Sequence, residues 1–200
     1  MRFESNVFIN CPFDAEYDTL LKPLIYTIIY FNLEPRLSQT VSSGIPRIEQ
    51  IKKLIKESKF SIHDLSRCKP LKENDLPRFN MPFELGLDMG CFEYGGRKFK
   101  SKKMLILETD RYHYQKILSD IAGQDIENHD NDFKTLINKV RNWFSALDHD
   151  NKYPLAADIL LTYVDLIEDL NTRLKTNLNQ IPIPDFIKYA KDWIAKLPKH

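Results

Sequence analysis

Two hundred residues with 42% hydrophobic side chains and a net charge of +1 can fill one sizeable core, and their interspersed acids and bases argue against a dedicated nucleic-acid surface, which shows a basic stripe. Three cysteines, Cys11, Cys68 and Cys91, without CxxC spacing argue against a disulfide framework and against a four-ligand zinc site. No apolar run nears the ~20 residues of a membrane span, and Met1-Arg2-Phe3-Glu4 lacks a signal-peptide core, so the expectation is a reduced cytoplasmic protein that contacts neither membrane nor nucleic acid.

Val7-Phe8-Ile9-Asn10-Cys11 is a short β-branched and aromatic run stopped by Pro12, the pattern of a central parallel strand buried on both faces. Asp14 is placed to cap a helix whose first turns are acidic and whose Leu20, Leu21, Leu24, Ile25, Ile28 and Ile29 recur at helical spacing. Pro23 predicts a bend in it or a later start. Leu33–Leu37 reads as a second strand, placed at a sheet edge by Pro35. A loop through Ser42, Ser43, Gly44 and Ile45 leads to a helix over 47–58, with Ile48, Ile51, Leu54 and Ile55 on one face and Lys52, Lys53 and Lys56 on the other.

Phe60–Leu65 is the third strand, and residues 66–79 are too polar and too long for a tight turn, which marks a functional loop. Asn80–Met89 is a helix with Pro82 in its first turn, and Lys103–Glu108 is the fourth strand. A short helix over 112–119 and a poor fifth strand or irregular segment over 121–126 follow. After that the pattern is helical only: 132–147, 155–178, and a last helix opened by Pro184. Strands alternating with helices predict an α/β fold with an open parallel sheet in the flavodoxin-like order 2-1-3-4-5 and helices on both faces. Residues 1–147 are expected to form this domain, and 148–200 a helical C-terminal extension packed on it.

In such a sheet a ligand lies beyond the carboxyl ends of the strands, at the switch point between strands one and three. The residues expected to converge there are Cys11, Pro12 and Phe13 after strand one, Asp64, Ser66 and Arg67 after strand three, and Asn80, Phe83, Glu84 and Asp88 on the next helix. Glu84 is the pivotal one, because a carboxylate between Phe83 and Leu85 is costly unless it is paired or holds its proton. The plain alternative is a helix-start acid near the positive dipole end, and local sequence does not separate the two. Asp88 shares that face, or is simply solvated. Asp64 is either an acceptor for a sugar hydroxyl or a loop cap with Ser66. His63 reads as structural, Cys11 as a small buried hydrophobe, and Arg47, Arg67 and Arg78 as phosphate partners or surface charges. Gly86 and Gly90, four apart, would let a neighbour approach closely. No metal-ligand cluster and no Gly-rich phosphate loop is present.

These motifs, in this order, resemble TIR domains and nucleoside 2-deoxyribosyltransferases. Val7 to Asp14 is similar to their first strand and loop, Gly44-Ile45-Pro46-Arg47-Ile48 to the loop and second helix of TIR domains, and Phe60 to Arg67 to the third strand. Asn80-Met81-Pro82-Phe83-Glu84-Leu85-Gly86 resembles the helix that carries the catalytic glutamate of both groups. The resemblance covers residues 5–145. It departs where Leu76-Pro77-Arg78-Phe79-Asn80 lacks the acid that the transferases place before their glutamate.

It implies cleavage or transfer at an N-glycosidic bond of NAD or a related nucleotide or nucleoside, with Glu84 as nucleophile or stabiliser of the ribosyl cation. Gly44, Ile45 and Arg47 would form the adjoining loop. NAD is then a substrate, and no cofactor is expected. It further implies a homo-oligomer, with a partner protein in bacterial anti-phage defence. The competing reading is a TIR-like module that senses a nucleotide or assembles without catalysis.

Overall fold

The computed structural model describes residues 3–38, 44–68, 76–109, 114, 118–121, 126–148, 152–175 and 177–198. The chain forms two compact units interleaved in sequence: Met1–Pro12 with Glu34–Asp130, and Phe13–Leu33 with Asn131–His200. Residue 147, the expected boundary, lies inside the second unit.

The first unit is built on five parallel strands, β1 (Asn6–Asn10), β2 (Glu34–Arg36), β3 (Phe60–Asp64), β4 (Lys103–Glu108) and β5 (Ile126–Asn128), in the order β2-β1-β3-β4-β5. This is the expected α/β fold, with the proline-bearing strand at an edge. Register pairs Asn10 with His63 and His63 with Ile106, so these side chains share one face of the sheet with Phe8 and Ser61. Helices α2 (Arg47–Glu57) and α3 (Asn80–Tyr94) contact β1, and α3 also contacts β3.

Helix α2 buries Ile51, Leu54 and Ile55 against Phe8 and leaves its lysines outside, as three- and four-residue spacing dictates. Helix α3 buries Met81, Glu84, Leu85 and Asp88. Its inward stripe is therefore half acidic, a pattern that no core would adopt for packing alone. A second apolar cluster joins Leu65, Cys68, Met81, Leu85, Ile106 and Tyr114.

The second unit is four helices, α1 (Asp18–Tyr30), α4 (Phe133–Leu147), α5 (Ala156–Leu174) and α6 (Ile183–Ile194), with α1 touching the other three. Every residue of α1 from Leu20 to Ile29 is buried, which explains its nearly unbroken apolar sequence. Rings interlock within the unit: Tyr26 lies 5.3 Å from Tyr163, and Phe31 lies 5.5 Å from Phe144. At the end of α1, Asn32 adopts φ 59° and its N–H bonds Ile29 O, a left-handed stop that asparagine tolerates.

Four expectations about local structure are corrected. Asp14 caps only a turn, accepting Tyr17 N–H at 2.9 Å, and the helix proper begins at Asp18, with Pro23 at its sixth position. Ser119–Ile121 is a 3-10 turn and described pairing of the fifth strand starts at Ile126, where the register with Ile106 decides what weak local propensity does not; residues 122–125 of the expected segment lie outside the described residues. Helix α3 continues past Met89 to Tyr94, and α5 stops at Leu174, where Lys175 takes φ 50°. The short helix expected over 112–119 lies mostly outside the described residues. No helix among the described residues is long and apolar enough to cross a membrane.

Asp132 sets the start of α4, its Oδ2 accepting Thr135 N–H at 2.8 Å and the Thr135 hydroxyl at 2.7 Å. Those two bonds hold its carboxyl below the ordinary range. Asp132→Ala is expected to lower unfolding free energy by about 1 kcal/mol in urea titration, the usual worth of such a cap. Asp132→Asn, which keeps an acceptor, should recover most of it.

Candidate active site

A buried polar chain in the first unit runs from the carboxyl end of β1 to the segment just before β4. Asn10, the last residue of β1, donates one Nδ2 hydrogen to Met81 O at 2.9 Å and the other to His63 Nδ1, also at 2.9 Å. Nδ1 therefore accepts, and the ring proton sits on Nε2, which donates to Asp88 Oδ2 at 3.0 Å. Asp88 Oδ1 meets Lys102 Nζ at 3.0 Å. The same ammonium donates to Ile55 O at 2.9 Å and to Ser58 O at 2.5 Å, while its contact with Asp88 Oδ1 is an ion pair without hydrogen-bond alignment.

His63 and Asp88 are fully buried, and Asn10 and Lys102 nearly so. Burial alone would push the Asp88 carboxyl up; the His63 hydrogen bond and the Lys102 ammonium outweigh it and hold the group below the ordinary range. One anion and one cation in direct contact, with Asp88 Oδ2 taking the His63 hydrogen and Lys102 donating to two carbonyls, make this buried chain tolerable in a low dielectric. It also fixes how α3 lies on the sheet, because Met81 is tied to β1 and Asp88 to β3.

Glu84 sits between those two ties, three residues after Met81 and four before Asp88 on the same inward stripe. It is 5% exposed, and among the described residues it has no hydrogen bond or ion pair. Burial raises its pKa from 4.5 to about 7, against the opposing pull of Arg47 at the start of α2. A carboxyl raised towards neutrality by burial is suited to giving or taking a proton and to meeting a developing cation. Glu84 lies near the start of α3, as a helix-start acid would, but it is buried.

A second cluster closes the end of β3. Asp64 Oδ1 accepts Ser66 N–H at 2.8 Å and, by a short bond, the Ser66 hydroxyl. Asp64 Oδ2 lies 3.0 Å from His129 Nε2, which also lies 3.1 Å from Ser66 Oγ. His129 is held by its own N–H to Glu108 O at 3.0 Å, so the cluster joins the ends of β3, β4 and β5. Both Asp64 oxygens are engaged, which fits the loop-cap reading with Ser66. This is not a serine-hydrolase arrangement, since the Ser66 hydroxyl hydrogen points to Asp64 and the same imidazole nitrogen serves both partners. Cys68, buried nearby, has its thiol pushed up to about 12 by burial and by the charges of Glu108 and Asp64, which removes it as a nucleophile near neutral pH.

The remaining expected residues fall as follows. Cys11 and Pro12 are buried just after Asn10, and Cys11 is indeed a small core residue. Phe13 belongs to the second unit. Arg67 is buried, while Gly44, Ile45, Arg47, Arg78 and Asn80 are exposed. Phe83 is 57% exposed on the outer side of α3, with Phe79 alongside it in sequence and also exposed. Asp88 is not solvated, and both of its oxygens are committed to His63 and Lys102. Gly86 and Gly90 have open space where a Cβ would stand, so they serve no close approach; they line a cavity with Met89, Tyr94 and Met104. Ser42 and Ser43 lie outside the described residues.

Sequence reading missed Lys102 and His129. Lys102 is one of four lysines within Lys98–Lys103, a run that reads as solvated surface, and only its place directly before β4 sets it apart. His129 stands in a polar stretch whose strand was itself misplaced. Comparison with protein-family models, with curated proteins and with solved structures finds no match to this chain.

Proposed function

We propose that this protein cleaves or transfers at the N-glycosidic bond of NAD or a related nucleotide or nucleoside, with Glu84 as the group that meets the sugar. What supports the reading is one buried carboxylate that makes no hydrogen bond or ion pair among the described residues, on a helix tied to β1 at Met81 and to β3 at Asp88 in a 2-1-3-4-5 sheet. The order of motifs that resembles TIR domains and nucleoside 2-deoxyribosyltransferases points the same way.

Breaking C1′–N sends the bonding pair to the base and leaves positive charge on C1′ and the ring oxygen. Ionised Glu84 stabilises that charge, or bonds C1′ through a carboxylate oxygen until water or another acceptor displaces it. With NAD the base leaves as neutral nicotinamide, so no acid is needed to protonate it. The incoming water gives its oxygen to C1′ and releases one proton, which a carboxyl titrating near neutrality can accept. A single carboxylate suffices where O-glycoside hydrolysis uses two. Arg47, close enough to lower the Glu84 pKa, supplies the positive charge that keeps a working fraction ionised. Exposed Ile45, Phe79 and Phe83, on segments flanking Glu84 in sequence or in the helix pair, support self-association as part of this reading.

The test is incubation of the whole protein with NAD and with a panel of nucleosides and nucleotides, followed by chromatography for the free base. Release of nicotinamide or a nucleobase is expected, with a rate that rises as Glu84 ionises. A protein inert to the whole panel across protein concentrations that span self-association would overturn the reading.

A further inference from the structure

At the amino end of the strands, away from Asn10 and Glu84, a cavity of about 450 Å³ opens between the segment before β1, the last turn of α2 and the segment before β4. Arg36, Lys53, Lys56 and Lys98 line it, against one carboxylate, Glu57. Arg36 Nη2 takes Glu57 Oε2 at 3.1 Å, and Lys53 Nζ reaches Glu57 Oε1 only at 3.9 Å. Among the described residues Lys56 and Lys98 make no ion pair. Lys98 instead stands over the ring of Phe3, which also lines the cavity, at 4.8 Å. Several like charges therefore converge on one hollow with a single counter-charge.

Two further features bear on what could sit there. The carbonyls at the end of α2 would repel an anion, but they are covered: Ile55 O and Ser58 O accept from Lys102, and Glu57 O accepts from Asn6 Nδ2 at 2.7 Å. Asn6 is 1% exposed and lines the cavity; with Nδ2 engaged, its Oδ1 is the atom left for an occupant, and among the described residues it has no hydrogen-bond partner. A buried amide oxygen without a donor costs about 1–3 kcal/mol, which a ligand hydrogen would recover.

We infer that this cavity binds a phosphate-bearing small molecule that also offers a hydrogen-bond donor, its charge held by Lys56 and Lys98 and its donor by Asn6 Oδ1. The donor has two sources, the P–OH of hydrogen phosphate itself or a hydroxyl or amine of the organic part of a phosphate ester. Sulfate has the charge and no hydrogen at neutral pH, so it meets Asn6 Oδ1 as acceptor against acceptor.

The experiment is calorimetric titration of the full chain at low ionic strength with inorganic phosphate, ribose 5-phosphate, 5′-AMP and sulfate. At least one phosphate compound is expected to bind and sulfate is not, and Lys56→Glu with Lys98→Glu should weaken binding by about tenfold or more, since two attractive charges become repulsive. Both lysines are on the surface, so that variant retains its fold, which circular dichroism checks. Equal affinity for inorganic phosphate and the esters identifies the P–OH as the donor; tighter ester binding identifies the sugar or base. Sulfate binding as well as phosphate, binding that survives the double reversal, or no binding by any of the phosphates overturns the inference.

Discussion

Glu84→Gln is expected to abolish base release, by about a thousandfold or more, and at the same time to make the protein harder to unfold above neutral pH. The two effects have one origin. The Glu84 carboxyl makes no hydrogen bond or ion pair among the described residues, Arg47 offsets its burial only in part, and burial drives its pKa from 4.5 to about 7. In the unfolded chain the group titrates at its ordinary value. Below 4.5 both states carry the proton and Glu84 contributes no penalty. Between 4.5 and 7 the unfolded chain has lost its proton while the folded protein retains it, so stability falls as pH rises; above 7 the loss is complete and constant. Its full size is on the order of 3 kcal/mol.

Glutamine fills the same space and never ionises, so the variant lacks this slope. Urea unfolding of both proteins across pH should give curves that meet in acid and separate progressively towards neutrality, the variant being the more stable. Superimposable curves at every pH would mean a well-solvated carboxylate, and the assignment of Glu84 as a desolvated reactive group would fall with them. The pairing of measurements also separates site from scaffold. A variant that is inactive because it is damaged loses stability, whereas one that is inactive for want of its acid gains it.

How much of this was readable beforehand depended on whether the signal was local. The run Val7–Cys11 and the helical spacing of α2 and α3 are local patterns, and with the right-handed crossover rule they led to the strand order that the structure has. Glu84 was readable because an acid between Phe83 and Leu85 is anomalous within one helical turn. The two ties that hold it were not. Asn10 ends an apolar run and looks like a strand terminus, and Asp88 follows Gly86-Leu87 as an ordinary helix-surface acid would. What ties them together is a path of hydrogen bonds from residue 10 to 63 to 88, continued by an ion pair to 102, and no window of sequence contains it. Strand β5 failed for the same reason, its three residues being held by pairing with β4. The helical unit shows the reverse case: α1 was expected as one more helix of the α/β domain, yet its contacts group it with α4, α5 and α6, because a helix buried on every side carries no sequence record of which neighbours bury it.

Asp88→Ala should be among the most destabilising single changes in the chain, costing about 3–5 kcal/mol, against a total stability of about 5–15 kcal/mol for a domain of ordinary size. The loss would come less from the missing bonds than from what remains. Lys102 would keep its ammonium inside the protein with Ile55 O and Ser58 O but no anion, and His63 Nε2–H would face an empty space. Lys102→Met, which leaves the Asp88 carboxylate without its cation, should cost a similar amount. The double variant Asp88→Ala with Lys102→Met removes both charges. It should therefore be more stable than the sum of the single losses predicts, by about 2 kcal/mol or more in a double-mutant cycle read by urea unfolding.

The same cycle probes Glu84. Without the Asp88 tie, α3 retains its bond from Asn10 to Met81 but loses the second point that fixes its rotation on the sheet. The Glu84 carboxyl should then gain access to water and titrate closer to 4.5, which carbon-13 resonance of a labelled side chain reports directly. Single variants within about 1 kcal/mol of wild type would show that the buried chain is not what holds α3 in place. A Glu84 resonance that titrates near 7 in the double variant as in the wild type would show that rotation of the helix is set by Leu85 and Met81 packing instead.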